Sequence, residues 1–149
     1  MGGLIEVAAA FVGTLGFGFL FNIRGKKLLL AALGGMISWL LFLLLGFIIE
    51  QEAVRYFIVA IVSTAYAEIF ARVIKTPATT FCMVSLIPLV PGGALYYSMA
   101  YALGGSFEAF AGKALYTLEL TAALSMGIVL ATAGVRYIFA FIAKKKGRN

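Results

Sequence analysis

The chain has 149 residues, 63% of them hydrophobic and only 12% charged, with a mean hydropathy of +1.05; soluble domains carry about 25% charged residues, so a soluble globular domain is excluded. There is no histidine, all six acidic residues are glutamates and the single cysteine, Cys82, lies in an apolar run, which removes the parts for metal sites, disulfide frameworks and Cys/His nucleophile pairs. No catalytic residue, metal or cofactor is therefore expected, and the net charge of +6 comes from basic residues set between apolar runs, where membrane topology explains them better than nucleic acid.

A bilayer core about 30 Å thick takes about 20 apolar residues per helix, so the apolar runs can be counted as spans. The first covers 4–23. It has no basic n-region and carries Glu6, unlike a cleaved signal peptide, and it ends at the basic turn Arg24-Gly25-Lys26-Lys27. The second, 28–49, ends at Glu50, Gln51 and Glu52. The third, 54–73, is bracketed by Arg55 and Lys75, a separation worth about 30 Å of helix. Charge inside a span costs roughly 2.5 to 3.5 kcal/mol at the helix centre, which makes Glu68 a candidate coupling or substrate residue. Arg72 follows it by one helical turn, so an i,i+4 ion pair on one face is the plainer reading.

The fourth run, 78–103, is interrupted by Pro88, Pro91, Gly92 and Gly93. Counted from Thr79, Pro88 and Gly92 lie roughly 13 to 20 Å deep, at the bilayer midplane. Two prolines remove backbone donors and adjacent glycines let the chain leave helical geometry, so a broken helix is expected there. Discontinuous helices of this kind hold substrates in transporters; the rival reading is a simple kink in a packed bundle. Pro88, Pro91, Gly92 and Gly93 are the candidate substrate path. Tyr97 joins them, while Tyr101, one turn further, reads better as part of an interfacial aromatic belt.

The fifth run, 109–142, ends at Lys144, Lys145, Lys146 and Arg148. Measured about 30 Å back from Lys144, the opposite boundary falls near Leu124, which leaves Glu119 in or above the interface. Arg136 lies about 12 Å inside the basic boundary, where it snorkels or finds a buried partner. Ala123, Gly127 and Ala131, with Gly134 close by, form a small-residue ridge for helix packing, and Gly13, Gly16 and Gly34-Gly35 offer similar approaches. Such contacts serve this chain, a partner or a second copy in a homo-oligomer equally well.

The fold expected is all-α: one transmembrane domain over 1–149, a polytopic bundle of about five helices with the fourth broken at mid-membrane. The turns after spans one and three and the C-terminal tail carry the basic clusters, so the N-terminus is expected outside and the C-terminus in the cytoplasm.

Arg72, Lys75-Thr76-Pro77, Phe81 and Ile87-Pro88-Leu89-Val90-Pro91-Gly92, with Phe21-Asn22 ahead of the first basic turn, resemble the signature of the threonine/serine exporter superfamily. The likeness is to the small membrane subunit of two-component members, similar to those associated with bacterial succinate export. It implies a non-enzymatic efflux system of the bacterial inner membrane. In it this chain, surrounded by membrane lipid, works with a larger multi-span subunit to move threonine/serine-like amino acids or dicarboxylates such as succinate by secondary transport. Without aspartate, a cargo or proton site here must use Glu, Tyr, backbone groups or the partner. The rival expectation is a non-transporting scaffold that stabilises a larger partner through its small-residue faces.

Overall fold

The computed structural model describes residues 2–75 and 77–146; Thr76 of the Lys75-Thr76-Pro77 stretch and Arg148 of the basic tail lie outside the described residues. All regular elements among them are helical: α1 (Gly2–Leu20), α2 (Lys26–Leu45), α3 (Glu52–Val73), α4 (Ala78–Leu86), a 3-10 turn (Ile87–Leu89), α5 (Gly92–Leu103) and α6 (Phe107–Lys146). Four of these are each long and apolar enough to cross a membrane, and α4 with the 3-10 turn and α5 makes a fifth when the bent pair is taken as one span.

The expected first span ran to residue 23, but α1 stops at Leu20. Asn22 takes the left-handed conformation, with φ 56°. Its N–H donates to the Phe19 carbonyl and that of Ile23 to the Gly18 carbonyl, both at 2.9 Å. That pair of bonds is a Schellman closure, which satisfies carbonyls the helix end leaves open. It turns the apolar Ile23 back into the core, where it is 6% exposed. The Phe21-Asn22 pair is thus a helix stop. Lys75, with φ 50°, closes α3 in a comparable way.

α1 packs on α2, α2 on both α3 and α4, α3 on α6, and α6 on α5. At the end of the bundle that bears the basic turns, Ile23, Leu28, Ala31, Ala67, Phe81 and Val84 form a buried cluster. Towards the other end Phe42, Tyr56, Val59, Leu86, Leu89 and Leu120 form a second. Close helix approach is concentrated where small residues permit it. A Cβ on Gly127 would lie 2.7 Å from both the Phe57 carbonyl oxygen and the Ala60 Cβ, so α3 and α6 touch through their backbones there. Gly34 and Gly35 give α2 close contacts with neighbouring side chains, Ser85 and Tyr66 in one case and Thr14 in the other. Nothing among the described residues lies within 4 Å of where a Cβ on Gly13, Gly16 or Gly134 would be, so these three make no close contact within the chain. The close approach in α1 falls instead at Gly18, against Leu28, because the α2 return after the Asn22 turn presses on that face.

α6 has 40 residues, about 60 Å of helix, roughly twice a bilayer core. Its first half carries Glu108, Lys113 and Glu119, whereas the stretch from there to Lys144 carries only Arg136. The stretch poorest in charge, and long enough for a crossing, is thus its second half.

Candidate functional site

The fourth span breaks as its sequence demands. Pro88 has no N–H to give the Val84 carbonyl, which accepts from Ile87 instead in a tighter turn. The Ser85 carbonyl accepts from the Ser38 hydroxyl of α2 at 3.0 Å, and the Ser85 hydroxyl reaches back to the Ala31 carbonyl at 3.4 Å. The Ser38 hydroxyl thus supplies a donor to a carbonyl beside the break, and the Ser85 hydroxyl ties the same segment to α2. Beyond the turn, Val90 donates to the Ile87 carbonyl at 3.1 Å and Gly92 to the Val90 carbonyl at 2.7 Å. α5 then starts with no side-chain cap, bent by 63° from the axis of the preceding helix. The N–H groups of its first turn have no intrahelical acceptors, and the positive end of its dipole points back into the break.

Of the cavities that adjoin this segment, two flank the break. One, of about 330 Å³, lies on the side away from the basic end; Pro88, Pro91, Gly92, Gly93 and Tyr97 all line it. A Cβ on Gly92 or Gly93 would meet nothing within 4 Å, so the glycines border open space. The other, of about 450 Å³, lies towards the basic end, between α3, α4 and α6, with Glu68, Cys82, Ile87, Thr132 and Arg136 in its wall. Val90 lines both. The five substrate-path candidates are therefore brought together at one cavity, while Tyr101 stands apart from it, 41% exposed.

Glu68 is 5% exposed and pairs with Arg72, Nη1 to Oε2 at 3.0 Å. Arg72 also donates to the Glu68 carbonyl at 3.2 Å and lies 4.5 Å above the Phe139 ring. From α6, Arg136 Nε approaches the other carboxylate oxygen at 4.0 Å. The pair expected at i,i+4 is present, and Arg136 makes it a triad that joins α3 to α6. Removal of a partner from a buried carboxylate leaves charge uncompensated, and Arg72, at 3.0 Å, is the nearer of its two partners.

Residues that local pattern does not single out complete the first cavity: Trp39, Glu52, Tyr56, Lys113 and Tyr116. The Tyr116 hydroxyl donates to Glu52 Oε2, and Lys113 Nζ sits 4.6 Å above the centre of the Tyr116 ring. The Trp39 indole Nε1 is buried without a hydrogen-bond partner. Two signals in the sequence bear on these residues. Trp39 is the one tryptophan of the chain, and Lys113 and Tyr116 are three apart on one helix face. Nothing local links them to Glu52.

The profile of the family described as Threonine/Serine exporter, ThrE, matches residues 6–133, a range that takes in the cavity beside Gly92 and Gly93, all of the other but Arg136, and α6 up to its last turns. No match was found among curated proteins or among solved structures.

Proposed function

Because the chain belongs to the threonine/serine exporter family, we propose that it moves small metabolites across the membrane along the broken fourth span. The observation that carries this reading is the pair of cavities meeting at Val90, one on each side of the break. A carrier works by exposing one site alternately to the two sides of a membrane, and a bent, glycine-flanked joint between two cavities is a suitable moving part. The bend also suits a full crossing. α4 with the 3-10 turn advances about 20 Å, and α5, about 18 Å long and inclined at 63°, adds about 8 Å along the same direction. That sum supports five spans; with the basic clusters all on one side it supports an external N-terminus and a cytoplasmic C-terminus, and the family likeness implies a bacterial inner membrane.

In this proposal the chain is the small subunit of a two-component exporter with a larger multi-span partner, its cargo is a threonine/serine-like amino acid or a dicarboxylate such as succinate, and transport is secondary. Glu68, buried between Arg72 and Arg136 in the wall of the cavity at the basic end, is the coupling candidate. The scaffold alternative has one observation in its favour: Gly13 and Gly16 leave an open small-residue face on α1, where a partner helix can approach closely.

The test is efflux of labelled threonine, serine and succinate from cells lacking their own exporters, with this chain alone, with its larger subunit, or with neither. Export only when both are present supports the two-component reading and identifies the cargo. No export from any combination, with both proteins confirmed in the membrane, contradicts it.

A further inference from the structure

The cavity beside the break holds a carboxylate and an ammonium group that do not pair with each other. Glu52 and Lys113 both line it, yet the two ion pairs among the described residues both belong to Glu68. Tyr116 stands between them. Its hydroxyl donates to Glu52 and its ring face holds Lys113 Nζ at 4.6 Å, so one side chain fixes both charges and keeps them apart. Arg55, three residues after Glu52, sits over the Phe42 ring at 4.9 Å and makes no ion pair with Glu52. Opposite charges in a confined, partly apolar space attract strongly, and a side chain that holds them apart leaves each with capacity for a ligand of the other sign.

The polar groups around them fall into two sets. On the donor side are Lys113, the Trp39 indole N–H, which is buried and unpaired, and the uncapped first turn of α5, where Gly92 is already bonded to the Val90 carbonyl and the Gly93 and Ala94 N–H groups remain. Helix N-termini favour anions through their free N–H groups and dipole. On the acceptor side is Glu52. Tyr56 lies beside it, 6% exposed, in the cavity wall, with its hydroxyl in no hydrogen bond to another described residue; it can donate to a carboxylate or accept from an ammonium group. A buried indole N–H left unpaired at a cavity is costly unless something else receives it.

We infer that this cavity is a receptor for a zwitterion, an α-amino acid, with Glu52 binding the ammonium group and Lys113, Trp39 and the α5 N-terminus binding the carboxylate. The inference rests on the transport reading for its role in export, and on the cavity alone for its chemistry. It separates the two cargo classes, because a dicarboxylate would set a second negative charge against Glu52.

Trp39 is the chain's one tryptophan, so its emission reports on the cavity directly. The purified full chain in detergent is titrated with L-threonine, N-acetyl-L-threonine, L-threonine methyl ester and succinate, and equilibrium dialysis with labelled threonine measures binding independently of emission. L-threonine is expected to saturate, and each of the other three to bind at least about tenfold more weakly, a loss of about 1.4 kcal/mol. Glu52→Gln should remove the preference for threonine over its N-acetyl form, and Lys113→Met the preference over the methyl ester. Equal binding of succinate or N-acetyl-threonine to the unaltered chain, a preference untouched by Glu52→Gln, or no saturable threonine binding by dialysis would overturn the inference. Zwitterion-selective binding without any efflux would remove the transport reading and leave this one. Efflux of threonine indifferent to Glu52→Gln and Lys113→Met would do the reverse.

Discussion

Ser38 and Glu68 show how single side chains hold the broken region in place. The Ser38 hydroxyl lies in the core and serves the Ser85 carbonyl, which a regular helix would have bonded internally. Ser38→Ala is expected to lower stability by about 1 kcal/mol, within the range of interhelical hydrogen bonds in membrane proteins, read as a lower unfolding midpoint in detergent. Glu68 carries a stronger constraint because two cations face it. Glu68→Gln sets Arg72 and Arg136 against each other without a counter-charge, so it should destabilise more than Arg136→Gln, whose side chain is 66% exposed and at the longer distance. The reverse order of unfolding midpoints would contradict this ranking of the two residues. If Glu68 also carries coupling, Glu68→Gln should remove the pH dependence of efflux; an unchanged rate and an unchanged pH profile would end that assignment.

At the scale of elements, the α3–α6 contact is the closest approach to backbone. Gly127→Val places carbon where the Phe57 carbonyl and Ala60 already stand and should cost about 1 to 3 kcal/mol by overpacking, while Gly134→Ala, with open space around it, should be neutral. Equal midpoints for the two variants would contradict this packing. The ridge on α6 was legible in sequence because small residues four apart share a helix face. Which of its members make contact was not legible: Gly127 meets α3 and Gly134 meets nothing, and only the crossing geometry decides that. The break was legible for a local reason, since Pro88, Pro91, Gly92 and Gly93 act on the backbone of their own segment. The end of α1 was misplaced by a few residues because apolar Phe21 and Ile23 continue the hydropathy of the span. The left-handed turn at Asn22 stops the helix regardless.

The whole bundle follows from apolar runs of bilayer length, a signal that needs no knowledge of tertiary contacts. The cavities are the opposite case. Glu52 and Tyr116 are 64 residues apart and meet only because α6 returns along α3; Trp39 joins them from a third helix. No periodicity announces such a meeting. The proposed orientation makes a separate prediction: in a Cys82→Ser background, an impermeant thiol reagent added to intact cells should label Gly3→Cys but not Lys144→Cys, and the opposite pattern would invert the topology. The central claim is that cargo passes along the broken span, and the measurement that tests it most directly is threonine efflux by a chain carrying Pro88→Ala, Pro91→Leu and Gly92→Ala together, with its membrane level and partner association checked in the same cells. The account predicts a chain that assembles normally and exports no more than cells without it; a chain that assembles and exports at the unaltered rate would contradict it and leave a scaffold in its place.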